Sequence, residues 1–125
     1  MHLLKLLPVA AVATLAACAG TTGTDSGSVA VPITTEAEFR SAIVGKTIGF
    51  NGNTLLINAD NTVSGPWDGQ GITGTWYWED QFWCRDISIG GNDLGVDCQT
   101  WTFDGSTARV TRDRGNGNGF DYTVG

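Results

Sequence analysis

Clusters of glycine, asparagine and aspartate recur about every eight to ten residues after Gly45, and they constrain the fold more than any other sequence feature. Glycine and asparagine adopt positive φ at little cost, so such clusters favour hairpin turns. The predicted turns are Asn51-Gly52-Asn53, Ala59-Asp60-Asn61, Gly90-Gly91-Asn92-Asp93, Asp104-Gly105 and Gly115-Asn116-Gly117-Asn118-Gly119. Because the segments between them alternate with a period of two, the sequence predicts short antiparallel strands.

Eight such strands follow one another along the chain. They are predicted at 47–50, 54–58, 62–65, 72–79, 82–89, 96–103, 108–112 and 120–124. A series of short strands joined by tight turns predicts a mainly β fold, in which an antiparallel meander closes into a small barrel and leaves no exposed edge.

One short helix is predicted ahead of the strands. Thr35 and Glu38 have the spacing of a capping box, and Phe39 and Ile43 follow at helical spacing. We therefore expect a helix over residues 36–44, ended by Gly45, with Phe39 and Ile43 facing the core.

The N-terminal segment has the pattern of a signal peptide over residues 1–17. A short basic start is followed by an apolar run that is too short to span a bilayer. The quartet Leu15-Ala16-Ala17-Cys18 resembles the lipobox of bacterial lipoproteins. This resemblance implies that Cys18 becomes the lipidated first residue and anchors the protein in a membrane. Because Ala19 and not aspartate follows the cysteine, the resemblance further implies an outer-membrane location facing the periplasm; an ordinary secreted protein is the alternative.

The segment after the lipobox is rich in small polar residues. Residues 18–32 carry no apolar periodicity, so we expect a flexible tether that leaves residues 33–125 as the barrel domain.

Export also bears on the two remaining cysteines. In an oxidising compartment, Cys84 and Cys98 are expected to form a disulfide, and two free thiols are the alternative. If they face each other, the hairpin is centred on Gly91 and Arg85 lies opposite Asp97, as an opposite-charge cross-strand pair.

An aromatic cluster, GTWYWEDQFWC, occupies residues 74–84. Trp76 and Trp78 lie on one face of a strand and Tyr77 on the other. With a turn at Asp80-Gln81, Trp78 pairs with Trp83, and these three indoles share a face that we expect to be the barrel interior.

The alternative is that one or two of these indoles are exposed, together with Trp67 or Trp101. Exposed rings would form a stacking platform for sugars or for an apolar ligand. Arg112 and Arg114 form a second candidate binding element, because they share a strand face and could bind a carboxylate or a phosphate.

Charge and composition exclude several functions. The net charge is −6 and no lysine or arginine cluster is present, so we expect no nucleic-acid binding. The sole histidine, His2, lies in the predicted signal peptide, and neither Cys18 nor Cys84 would remain a free thiol. We therefore expect no enzymatic activity, no metal site and no cofactor. A weak glycosidase using Glu79 with Asp80 or Asp86 is the catalytic alternative.

Three segments of the predicted barrel are similar to segments of small, largely uncharacterised lipocalin-like lipoproteins of bacteria. They are Gly45-Lys46-Thr47, Asp60-Asn61-Thr62-Val63-Ser64-Gly65 and Gly74-Thr75-Trp76. The resemblance implies a non-catalytic, lipid-anchored barrel of the cell envelope. We expect it to bind a protein partner or a small ligand in the periplasm through its surface or one barrel mouth. The alternatives are an inhibitor of lysozyme-type cell-wall hydrolases and a glycan-binding module using exposed tryptophans.

Overall fold

The computed structural model describes residues 29–125. The predicted signal peptide, the lipidation of Cys18 and most of the predicted tether lie outside these residues. The described elements are β1 (Val31–Ile33), α1 (Glu36–Ala42), β2 (Thr47–Phe50), β3 (Asn53–Ile57), β4 (Thr62–Trp67), β5 (Gln70–Glu79), β6 (Phe82–Ile89), β7 (Asn92–Phe103), β8 (Thr107–Thr111), a 3₁₀ turn (Asp113–Gly115) and β9 (Gly119–Val124). Among the described elements, no helix has the length and apolar character needed to cross a bilayer.

Strands β2 to β9 form a closed antiparallel barrel. Each strand from β2 to β8 pairs with the next strand along the chain, and the pairing of β9 with β2 closes the ring. The remaining strand, β1, is not part of the ring. It pairs with the end of β7, where Ile33 lies opposite Trp101. The predicted mainly β fold, with one helix and a closed eight-stranded barrel, is thus confirmed, and β1 is an addition to it.

Strand boundaries agree with the prediction to within two residues, except at the start of one strand. Strand β7 begins at Asn92, four residues before the predicted start at Val96, because its first part pairs with the end of β6. Strand β1 was not predicted, and it takes up Val31 and Pro32 from the segment assigned to the tether. Three residues with a central proline carry no strand signal of their own, so pairing with β7 is what makes them a strand.

The β6–β7 hairpin has the predicted register at its base. Cys84 lies opposite Cys98 and the two form a disulfide, while Arg85 lies opposite Asp97. The turn, however, is Gly90-Gly91 and is not centred on Gly91, because Ile89 pairs with Asn92. A bulge shifts the register by one residue beyond Ile87, which reconciles the tight turn with the disulfide.

The capping box of α1 is present as predicted. The Thr35 hydroxyl accepts a hydrogen bond from the Glu38 backbone N–H, and the Glu38 carboxylate accepts one from the Thr35 N–H. Backbone and hydroxyl donation from Thr34 and Thr35 lowers the pKa of Glu38, with the Thr34 N–H as the largest contribution. The helix ends at Ala42, two residues earlier than expected, and Gly45 follows with a φ of 82°.

Helix α1 covers one end of the barrel. Phe39 is fully buried, with ring centroids of Trp76, Trp83 and Trp101 within 5.7 Å of its own. Arg40 holds the helix in place from outside, since its guanidinium donates to Ala59 O at 3.0 Å and lies 4.7 Å from the Trp76 ring centroid. The inward faces of the strands meet beneath the helix and form the core.

Candidate ligand cavity

The barrel contains a cavity of about 190 Å³ at the end opposite α1. This is the end bounded by the turns at 51–52, 68–69 and 90–91 and by the segment between β8 and β9. The lining residues are Phe50, Leu55, Val63, Trp67, Trp83, Arg85, Ile87, Ile89, Leu94, Gln99, Arg112, Phe120 and Tyr122. The Phe39 side chain fills the barrel beneath α1, whereas the opposite end holds the cavity.

Most of the cavity wall is apolar. Phe50 stacks on Trp67 with ring centroids 5.8 Å apart, and Phe120 meets Tyr122 edge to face at 5.0 Å. Leu55, Val63 and other aliphatic side chains of the inward strand faces complete the wall. Aromatic pairs of this kind hold a wall in place, because they are worth about 0.5–1.5 kcal/mol beyond the area they bury.

A buried arginine is the main exception to this apolar lining. Arg85 projects inward from β6, because it lies two residues from Trp83 and two from Ile87 on the same strand face. It is only 6% exposed. Its Nη1 donates to Gly95 O at 3.0 Å, and its Nη2 lies 3.8 Å from the Asp97 carboxylate. Burial lowers the pKa of Arg85, and the charge of Asp97 acts against that shift.

Asp97 joins the polar groups at this end of the barrel. Its Oδ2 accepts from Gln99 Nε2 at 2.8 Å and from Arg112 Nε at 3.1 Å, and its Oδ1 accepts from the Asp113 N–H at 3.0 Å. Partial burial raises the pKa of Asp97, but the donated hydrogen bonds outweigh that effect, with Gln99 the largest among them. The pKa of Asp97 therefore lies below its ordinary value, and Asp97 is a carboxylate at neutral pH.

Two polar atoms of the lining residues have no hydrogen-bond partner within residues 29–125. They are Nε1 of Trp83, a donor, and Oε1 of Gln99, an acceptor. The Gln99 side chain is orientated by its bond to Asp97, since only its nitrogen can donate to a carboxylate. Trp83 is 2% exposed and Gln99 is 4% exposed. Both atoms are closed off from solvent, as is Trp101 Nε1, a third unpartnered polar atom of the core, so they are unsatisfied groups of the packed interior.

Tyr122 also lines the cavity and is nearly fully buried. Desolvation raises the pKa of Tyr122 to about 12, while the positive charges of Arg85 and Arg112 act in the opposite direction. The phenol is therefore neutral over the whole physiological range and contributes an O–H group to the cavity wall.

This shift predicts an alkaline titration that can be isolated in one variant. Tyr77→Phe leaves Tyr122 as the sole tyrosine of the chain. We expect its tyrosinate absorbance to appear with a midpoint at about pH 12. Because the folded pKa lies above that of the unfolded chain, the stability from the neutral phenol is complete below about pH 10 and is lost as the pH rises towards 12. A midpoint at about 10 in the folded protein would show that Tyr122 is solvated.

The structure divides the predicted tryptophan sites between core and cavity. Trp76 and Trp83 are buried, as expected for the interior face of the aromatic cluster, and Trp101, which was named in the exposed alternative, is buried as well. Trp67 and Trp78 are half-buried; Trp67 lines the cavity, whereas Trp78 packs near Phe39 at the other end. The five indoles therefore do not form one exposed stacking platform.

The two predicted anion-binding arginines point to different partners, because Arg112 precedes the 3₁₀ turn and Arg114 lies within it. Arg112 pairs with Asp97 and lines the cavity, whereas Arg114 donates to Glu79 at 2.6 Å and lies over the Phe82 ring. Arg114 has a φ of 53° and does not continue the strand. The shared strand face expected for this pair is therefore not formed, because β8 ends at Thr111.

One cluster of metal-binding residue types is present in the described chain, and it lies outside the barrel interior. Glu79, Cys84 and Cys98 have their donor atoms within 4.8 Å of one another. Both sulfurs are engaged in the disulfide, so the cluster offers a cation one carboxylate and no thiolate.

Sequence reasoning missed Arg85, Gln99 and Tyr122 as cavity residues. For Arg85 the signal was nevertheless present, because it is two residues from Trp83 and so shares the face of a predicted core tryptophan. The usual exposure of arginine and glutamine argued against placing them inside.

Comparison of the chain with protein-family models, curated proteins and solved structures finds no match.

Proposed function

We propose that this protein is a non-catalytic binding barrel that takes up one small, largely apolar ligand through its open end. The observation that carries the proposal is the cavity of about 190 Å³, whose wall is mostly apolar and includes the buried Arg85. Small eight-stranded barrels are either filled by side chains or hold a single small ligand, and this barrel is filled at the helix end only.

The cavity volume limits the size of the ligand. An apolar cavity of about 150 Å³ in another protein binds benzene, so 190 Å³ accommodates one aromatic ring with a small substituent. A long lipid chain or a disaccharide could not lie wholly within this volume. The part of the ligand that is enclosed is therefore one aromatic ring or a short branched group.

Filling the cavity with a larger side chain tests the proposal. Ile89 is half-buried in the lining, and we expect Ile89→Trp to weaken the binding of toluene at least tenfold, because the indole occupies the ligand volume. Binding is followed by toluene-induced chemical-shift changes in the amide NMR spectrum. Tryptophan side chains are suitable additional reporters, since Trp67 and Trp83 both line the cavity.

Leu56→Trp is the matched control for this variant. Leu56 lies between two inward-facing residues and is 37% exposed on the outer surface, so the same change there should leave toluene binding unaltered. The proposal fails if the wild-type spectrum does not respond to near-saturating toluene, or if both variants lose binding equally.

We further propose that the barrel is held at the outer membrane, facing the periplasm, by a lipid on Cys18. The disulfide between Cys84 and Cys98 supports this, because such bonds persist in oxidising compartments.

We expect the wild-type chain in bacterial cells to fractionate with membranes and the Cys18→Ser variant to be absent from the membrane fraction. Mass spectrometry of the wild-type N-terminus checks the acylation directly. An unmodified Cys18 in a full-length chain would contradict the anchor.

A further inference from the structure

The polar groups of the cavity indicate the chemistry of the ligand's head group. We propose that the ligand is a small aromatic or branched carboxylate, whose anionic group binds beside Arg85 while its apolar part lies against the aromatic wall. This inference rests on the proposed binding function and specifies its ligand class.

Charge balance around the cavity favours an anion. Two arginines line it, Arg85 and Arg112, and both are paired with the same carboxylate, that of Asp97. Asp97 is the one acidic residue in ion-pair contact with them among residues 29–125. Within ion-pair distance the two arginines therefore carry one positive charge more than Asp97 balances, and the more distant Asp86 offsets part of the charge at Arg85. The remaining charge lies close to an apolar volume in which electrostatic attraction is stronger than in water.

Hydrogen-bonding capacity leads to the same conclusion. A guanidinium has five N–H donors, and Arg85 uses one of them on Gly95 O, while its 3.8 Å contact with Asp97 is longer than a hydrogen bond. The other Arg85 donors make no hydrogen bond within residues 29–125. A carboxylate accepts several hydrogen bonds and pairs with a guanidinium in a fork geometry, so it matches these donors better than a neutral group does.

The test compares phenylacetate with phenylacetamide on the full chain. The two probes have the same ring and the same number of non-hydrogen atoms, and they differ in charge. We expect phenylacetate to bind at least tenfold more tightly, as measured by titration calorimetry and by chemical-shift changes. Arg85→Met should reduce this preference to less than twofold.

A second variant keeps the test independent of folding defects. Arg112 is about half exposed, so Arg112→Gln should fold normally and lower the phenylacetate preference severalfold. The matched control is Arg109→Gln on the same hairpin, where the arginine pairs with Asp121 away from the cavity and the preference should not change.

The possible results separate the two proposals. Equal affinity for the two probes, with toluene binding intact, would overturn the carboxylate inference and leave the binding function standing. If the wild-type chain binds none of the three probes, toluene, phenylacetate and phenylacetamide, the binding function itself is overturned. An unchanged preference in both Arg85→Met and Arg112→Gln would show that the carboxylate binds elsewhere and would also overturn the inference.

Discussion

Replacing Phe39 with alanine is expected to lower the free energy of unfolding by about 3–5 kcal/mol. The Phe39 ring is fully buried and has four indole rings around it, those of Trp76, Trp78, Trp83 and Trp101. Removing it leaves a cavity beneath α1 that this closed barrel cannot collapse to fill, because strands on every side are hydrogen-bonded to their neighbours. Urea unfolding followed by tryptophan fluorescence measures the loss.

Phe82→Ala is the matched control for this prediction. Phe82 is only half-buried and lies on the opposite strand face from Trp83, so its truncation should cost about 1 kcal/mol or less. For a domain whose total stability is about 5–15 kcal/mol, the difference between the two variants is large. A Phe39→Ala variant as stable as Phe82→Ala would show that α1 is not an integral part of the barrel.

Removing the disulfide is the second change with a large expected effect. The double variant Cys84→Ala/Cys98→Ala should lose about 3 kcal/mol, because the bond closes a loop with a sequence separation of 14 and so restricts the unfolded chain. With a urea dependence of about 1.5 kcal/mol per molar, the unfolding midpoint falls by about 2 M.

Reductant provides the control for the cysteine variant. The unfolding midpoint of the wild-type protein should fall in the presence of reductant, to a value at or above that of the double variant, whereas the double variant should not respond to reductant. Cys84 is fully buried, so part of the loss in the variant comes from packing, and the comparison separates that part. A wild-type curve that does not move with reductant would contradict the prediction.

The disulfide also shapes the cavity indirectly. It joins β6 and β7 at the pair that precedes Arg85 and follows Asp97, so it holds the register on which their contact depends. The bulge beyond Ile87 then brings Gly95 O to the Arg85 guanidinium. The disulfide predicted from cysteine spacing therefore stabilises the contact between Arg85 and Asp97 at the cavity, although the spacing did not indicate a cavity.

Local sequence patterns predicted most of the architecture. Alternation predicted the strands, the capping box predicted α1, and the spacing of Cys84 and Cys98 predicted the hairpin register, because each depends on residues that are neighbours along the chain or across one turn. The burial of Trp76 and Trp83 followed from the same alternation. Strand β1 lacked any local signal, since its pairing partner is about seventy residues away.

The cavity and its polar lining depended instead on how the barrel closes. The sequence by itself determined a short helix followed by an antiparallel barrel with one cross-strand disulfide, since period, turn chemistry and hairpin register are short-range properties of the chain. Only the tertiary structure decided that Phe39 fills one end and a cavity occupies the other, and that Arg85, Gln99 and Tyr122 converge on it. These side chains come from three strands, and their separation depends on the stagger of the whole ring and on the bulge in β7, which no local pattern specifies.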